Sequence, residues 1–97
     1  MPTYICLCNW TQKGIEGVKD SPKRLDGAKA LFKEMGAELK AFYMTSGRHD
    51  IILVVEAKDD AAVARAVLAQ AAKGSIRTET LRAFSEDEYR KVLASLP

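Results

Sequence analysis

The sequence is poor in most of the residues that announce a chemistry: one histidine (His49), one tryptophan (Trp10), two cysteines (Cys6 and Cys8) and three prolines among 97 residues. A single imidazole and no second cysteine pair at ligand spacing make a zinc site built from this chain alone an unfavoured expectation, and no metal is assigned. Cys6 and Cys8 stand two apart in a strand-like run, on one face but too far apart along it for a relaxed disulfide, so both are read as reduced, small buried hydrophobes. No glycine loop that would cradle a phosphate and no nucleophile elbow occurs. The residues name no cofactor. The longest strongly apolar run, Ile51 to Val55, is far short of the ~18 residues of a membrane span, and Met1 to Trp10 lacks the basic start of an export signal, so a cytoplasmic chain with no membrane partner is expected. An excess of one charge is missing too. Fifteen basic against thirteen acidic side chains leave a net +2, too even to mark a nucleic-acid surface. With 47% hydrophobic and 29% charged residues, the composition is that of an ordinary folded domain, and the length is that of one, residues 1–97.

What is present is periodic. Tyr4 to Trp10 is rich in strand formers, with Tyr4, Cys6, Cys8 and Trp10 on one face and Ile5 and Leu7 on the other. A helical pattern starts at Ile15 and Val18, is interrupted at Ser21-Pro22, where a serine cap and a first-turn proline restart it, and continues through Leu25, Ala28, Leu31, Phe32 and Met35 to a left-handed stop at Gly36. Leu39 to Thr45 alternates Leu39, Ala41 and Tyr43 against Lys40, Phe42 and Met44. It forms a hairpin with Ile51–Val55 across the turn residues Ser46 to His49. Asp59 or Asp60 caps an alanine-rich helix over about residues 61–73, ended by Gly74. Ile76 to Phe84 is a half-polar strand, and Ser85 with Glu88 forms a capping box for a terminal helix carrying Tyr89, Val92, Leu93 and Leu96.

The order βαββαβ plus a helix predicts an α+β, ferredoxin-like fold: a four-stranded antiparallel sheet with both main helices on one face. The other face then carries Ile52, Val54, Ile5 and Leu7. Leaving such side chains in water costs ~1.5–3 kcal/mol each relative to burial, so a second copy packed sheet to sheet is the expected cover, with the terminal helix as the competing one. The related RNA-binding module needs stacking aromatics on its third strand, and Ile51 to Glu56 has none, so RNA is not an expected partner.

Two clusters carry the candidate chemistry. At the hairpin, Gly47-Arg48-His49-Asp50 gathers a cation, the sole imidazole and a carboxylate; His49 and Asp50 are the candidate proton carriers and Arg48 a candidate anion ligand, against the simpler reading of turn chemistry. In the fourth strand, Thr78, Thr80 and Arg82 would share a face with Tyr4, Cys6, Cys8 and Trp10 if that strand lies beside the first. The result is a pocket with an aromatic wall and a few polar groups. Trp10, Tyr43, Arg48, Arg77, Thr78 and Arg82 are the candidate ligand-binding residues.

Gly47-Arg48-His49-Asp50-Ile51, Val55-Glu56-Ala57 with Asp59-Asp60, and Ile76 to Phe84, together with the opening strand and Gly14-Ile15, resemble the small bacterial GYD-domain family. His49 stands where that family's signature has tyrosine. The resemblance implies a ferredoxin-like, dimeric α/β-barrel protein of a family without an established general activity. The expected function is a small-molecule-binding or accessory homodimer with a cleft between sheet and helices. One alternative is an enzyme resembling the cofactor-free monooxygenases or haem-degrading proteins of the dimeric α/β-barrel class, some of which use residue types like Asn9, Trp10 and His49. The other is a structural or assembly subunit.

Overall fold

Alternation in the first strand decides which face is inside. In the computed structural model, which describes all 97 residues, β1 (Thr3–Trp10) buries Tyr4, Cys6 and Cys8 and leaves Ile5, Leu7 and Asn9 on the opposite face. The chain continues through α1 (Gln12–Glu16), a single 3₁₀ turn (Val18–Asp20), α2 (Ser21–Glu34), the hairpin β2 (Ala37–Met44) and β3 (Ile51–Ala57), α3 (Asp60–Ala71), β4 (Ile76–Ala83) and α4 (Glu86–Ala94). The sheet order is β2-β3-β1-β4, every neighbouring pair antiparallel. Each βαβ half therefore straddles a strand of the other half, which is the ferredoxin-like arrangement expected from the element order.

Most of the expected elements are present, with four differences. The pattern beginning at Ile15 is a separate short helix, capped by the Thr11 side chain, which accepts from the Gly14 amide. Ser21 is not a cap but the first residue of α2, with Pro22 in the first turn where a missing N–H is harmless. The alanine-rich helix ends at Ala71, two residues earlier than its pattern implied. The fourth difference is a β-bulge in β2 between Leu39 and Ala41. Leu39 faces the helices with Phe42 and Met44, opposite Val55, Leu53 and Ile51, while Ala41 and Tyr43 lie on the far face opposite Val54 and Ile52. One extra residue on one strand reverses the alternation from that point on.

The core lies between the sheet and helices α2 and α3. Ala62, Val63, Ala66, Val67 and Gln70 of α3 recur at helical spacing and are buried, as are Ala28 and Phe32 of α2; the small alanines let α3 sit close on the strands. Asp59 caps α3, its carboxylate accepting from the Ala62 amide at 2.9 Å. Gly36 and Gly74 close α2 and the α3 turn with φ of 84° and 90°, left-handed values that glycine adopts without penalty.

The face away from the helices has no cover within the chain. Ile5, Leu7, Ile52 and Val54 are only partly buried, and Leu81 and Tyr43 are exposed. Helix α4 does not lie under it: Tyr89, Val92 and Leu93, and Leu96, which falls beyond the helix end at Ala94, stay between 45% and 63% exposed, and the helix buries no residue. No helix is long and apolar enough to cross a membrane.

Candidate functional site

The register of β1 against β4 pairs Tyr4 with Arg82, Cys6 with Thr80, Cys8 with Thr78 and Trp10 with Ile76. It therefore puts Thr78, Thr80 and Arg82 on the helix-bearing side with Tyr4, Cys6, Cys8 and Trp10, as the alternation required. The row does not open into one pocket. Helices α2 and α3 divide it into two.

Between the start of α2 and the far end of the sheet lies an apolar mouth of about 300 Å³ walled by Trp10, Pro22, Leu25, Phe42 and Met44. It shares Trp10, Ser21, Leu25 and Phe42 with an inner chamber of about 50 Å³ that reaches Cys8, Phe32, Leu53 and Gln70. The two form a funnel from solvent into the space between sheet and α2. Arg24 lines the inner part, but its guanidinium is held by two carbonyls, donating to Gly17 O at 2.9 Å and Gly14 O at 3.1 Å. The same bonds tie α1 and the 3₁₀ turn to α2. Thr11 completes the clamp, its hydroxyl donating to Gly74 O at 2.6 Å and its amide to Ser75 O at 3.0 Å.

The second cleft lies between α3 and the edge strand β4, with a volume of about 450 Å³. Asp60, Val63, Val67 and Leu68 of α3 line one side and Tyr4, Thr80 and Arg82 of the sheet the other. The Tyr4 hydroxyl donates a short hydrogen bond to the Asp60 carboxylate. That bond, with lesser help from desolvation and the Asp60 charge, pushes the phenol above its usual range. Arg82 donates to Thr3 O at 3.2 Å, pairs with Glu88 at 3.1 Å and lies 4.6 Å from the centre of the Phe84 ring. Cys6 lies beneath, its sulfur 3.8 Å from the Thr80 hydroxyl. Burial raises both thiols, Cys8 to about 12, so neither supplies a thiolate at neutral pH.

The remaining candidates lie elsewhere. Tyr43 and Arg77 are on the far face of the sheet, opposite Ile52 and Asn9, and Arg48 is exposed in the hairpin loop. Asp50 and His49 precede β3. Asp50 ties the hairpin to the end of β1: its carboxylate accepts from the Trp10 amide at 3.0 Å, and its own amide donates to Asn9 Oδ1 and Cys8 O, each at 3.0 Å. The His49 carbonyl accepts from the Thr45 hydroxyl, and His49 Nδ1 is buried without a partner. Thus Trp10 belongs to the funnel, Arg82 to the α3 cleft, and His49 with Asp50 to the strand end beside Trp10. Nowhere do three His, Cys, Asp or Glu side chains converge to hold a metal. Sequence reading missed Asp60 and Gln70 as site residues. Asp60 read only as a helix cap, and Gln70 had no signal beyond being a polar residue among the alanines of α3.

Comparison with known proteins agrees with this architecture. A family model, the GYD domain, matches residues 4–93. The glutamine synthetase and cystathionine beta-lyase binding protein of Thermus thermophilus is 40% identical over 85 residues, 87% of this chain and 90% of that protein. Among solved structures, TTHA0845 of Thermus thermophilus superposes with a TM-score of 0.56 at 22% identity, over 88% of this chain and 95% of that one. The feast or famine regulatory protein of M. tuberculosis, complexed with L-methionine, does so with a TM-score of 0.55 at 17% identity, over 90% of this chain and 54% of that one. At those identities the two structures speak for the fold alone. The matched model spans nearly the whole length and the 40% identical relative is matched over 90% of its own, so the chain belongs to the GYD-domain family.

Proposed function

We propose that this chain is a homodimeric accessory protein that binds a small apolar molecule in the funnel between its sheet and α2. The funnel itself carries the reading. An apolar mouth of about 300 Å³ with Trp10 and Phe42 on its walls, narrowing to a chamber with a few polar groups, has the make-up of a small-ligand site. The homodimer is supported by the apolar band of Ile5, Leu7, Ile52 and Val54, which nothing in one chain covers. Trp10 is the only tryptophan, so its fluorescence reports the mouth directly. A metabolite screen read by Trp10 emission and thermal shift should return a ligand whose binding is lost in Ser21→Phe, because Ser21 borders both chambers. A screen in which no compound discriminates the two proteins would remove the proposal.

A second reading is favoured by α4. Its exposed stripe of Tyr89, Val92 and Leu93, with Leu96 just past its end, is suited to another protein's surface, and the 40% identical relative bears the name of an enzyme-binding protein. On this reading the accessory role is exercised on an enzyme through α4. Co-sedimentation with purified glutamine synthetase, lost in Leu93→Glu, is the expected result; unchanged co-sedimentation of the variant, or none for either protein, would exclude it.

A further inference from the structure

Only two buried side-chain polar atoms lack a partner, His49 Nδ1 and Gln70 Oε1, and only Gln70 lines the funnel. Gln70 is 6% exposed. Folded proteins pair nearly all such groups, so an orphaned acceptor in a mainly apolar chamber points to something that pairs it. Its neighbours do not. Arg24 donates to the Gly14 and Gly17 carbonyls, the Cys8 thiol is directed to Cys6 O at 3.8 Å, and neither the Ser21 nor the Ser75 hydroxyl bonds Gln70 Oε1.

Resting on the funnel reading above, we infer that the ligand is a neutral, ring-sized apolar molecule with a hydrogen-bond donor at its leading end, a phenol or an N–H heterocycle, recognised by the Gln70 carboxamide. Each part follows from a wall of the funnel. Trp10 and Phe42 in the mouth suit a flat ring. The inner chamber, about 50 Å³, admits a small polar tip and little more. A carboxylate or phosphate would bring acceptors to an acceptor, and an ammonium would be repelled by the Arg24 guanidinium that lines the same chamber. A neutral donor meets neither obstacle. Selectivity comes from the penalty for leaving a buried acceptor unpaired, which is why a site built to bond a hydroxyl rejects the analogue that lacks the proton.

The test uses three probes of one shape: p-cresol, which donates; 4-methylanisole, which only accepts; and toluene, which does neither. Calorimetric titration of the full chain should show p-cresol at least about 10-fold tighter than the other two. In Gln70→Met, which keeps the length and loses the acceptor, that ratio should fall to about 1 while toluene binds at least as well as before; Gln70→Leu provides a second apolar variant should one of them fold poorly. Equal affinities for all three probes in the wild type, a preference for 4-methylanisole, or a p-cresol preference that persists in both variants would overturn the donor assignment. In those cases loss of binding in Ser21→Phe would still uphold the funnel. Binding of none of the three, together with a metabolite screen blind to Ser21→Phe, would overturn both.

Discussion

Cys8 shows how much one residue's environment decides. Period-two alternation put it with Cys6 on the inner face, and burial there raises its thiol to about 12. A raised folded value means the contribution to stability is complete below the ordinary thiol value. It is lost as pH rises from that value toward about 12, because the unfolded chain ionises first. Urea midpoints measured between pH 7 and 11 should fall on the alkaline side, with a shallower fall in Cys8→Ala. The same burial makes both thiols inert: a thiol reagent should label neither at neutral pH until denaturant is added. Gly14 is a different constraint. A β-carbon there would overlap the Ser75 carbonyl, and this backbone has little room because Thr11 clamps it. Gly14→Ala should cost about 1–3 kcal/mol, measurable as a lower denaturation midpoint. Such facts divide by sequence distance. The shared face of Tyr4, Cys6 and Cys8 could be read from adjacent letters. The Tyr4–Asp60 bond could not, because it joins residues 56 apart whose meeting depends on how α3 returns over the sheet.

At the scale of elements, local signals read well where caps or turns fix them. Ser85 and Glu88 form the reciprocal capping box expected from their spacing, with the Glu88 amide donating to Ser85 Oγ at 3.2 Å and the Ser85 amide to Glu88 Oε1 at 3.1 Å. The Ser85 amide, and then Arg82, hold the Glu88 carboxyl below its usual range. A depressed value contributes stability above the ordinary carboxylate range and loses it as pH falls through the held-down value. Helix α4 should therefore fray in acid, seen as loss of the Ser85 amide's protection, and Ser85→Ala should weaken it by ~1 kcal/mol at neutral pH. The bulge in β2 was not legible. Alternation through Leu39, Ala41 and Tyr43 is unbroken in the letters. The shift at Lys40 arises from pairing with β3, where Leu39 must meet Val55 while Ala41 meets Val54. Its effect reaches the site, since Leu39 and Phe42 come to line the funnel together while Tyr43 is turned to the far face.

For the whole molecule, element order and periodicity were sufficient for the fold because right-handed crossovers leave few ways to arrange βαββαβ. The site was only half legible: the sequence showed which residues share the inner face, but not that α2 and α3 divide that face into a funnel at Trp10 and a separate cleft at Arg82. The uncovered outer face is the largest structural demand. Ile52→Glu on that face should convert the proposed dimer to a monomer, read by sedimentation velocity, because a charge buried between two sheets has no partner there. The most direct single measurement is a native mass spectrum of untagged protein freshly purified from its own source, with Ser21→Phe alongside. The expected spectrum is a dimer carrying a discrete added mass that the variant lacks. A monomer at micromolar concentration, or an added mass identical in both proteins, would contradict a dimer that holds its ligand in the funnel.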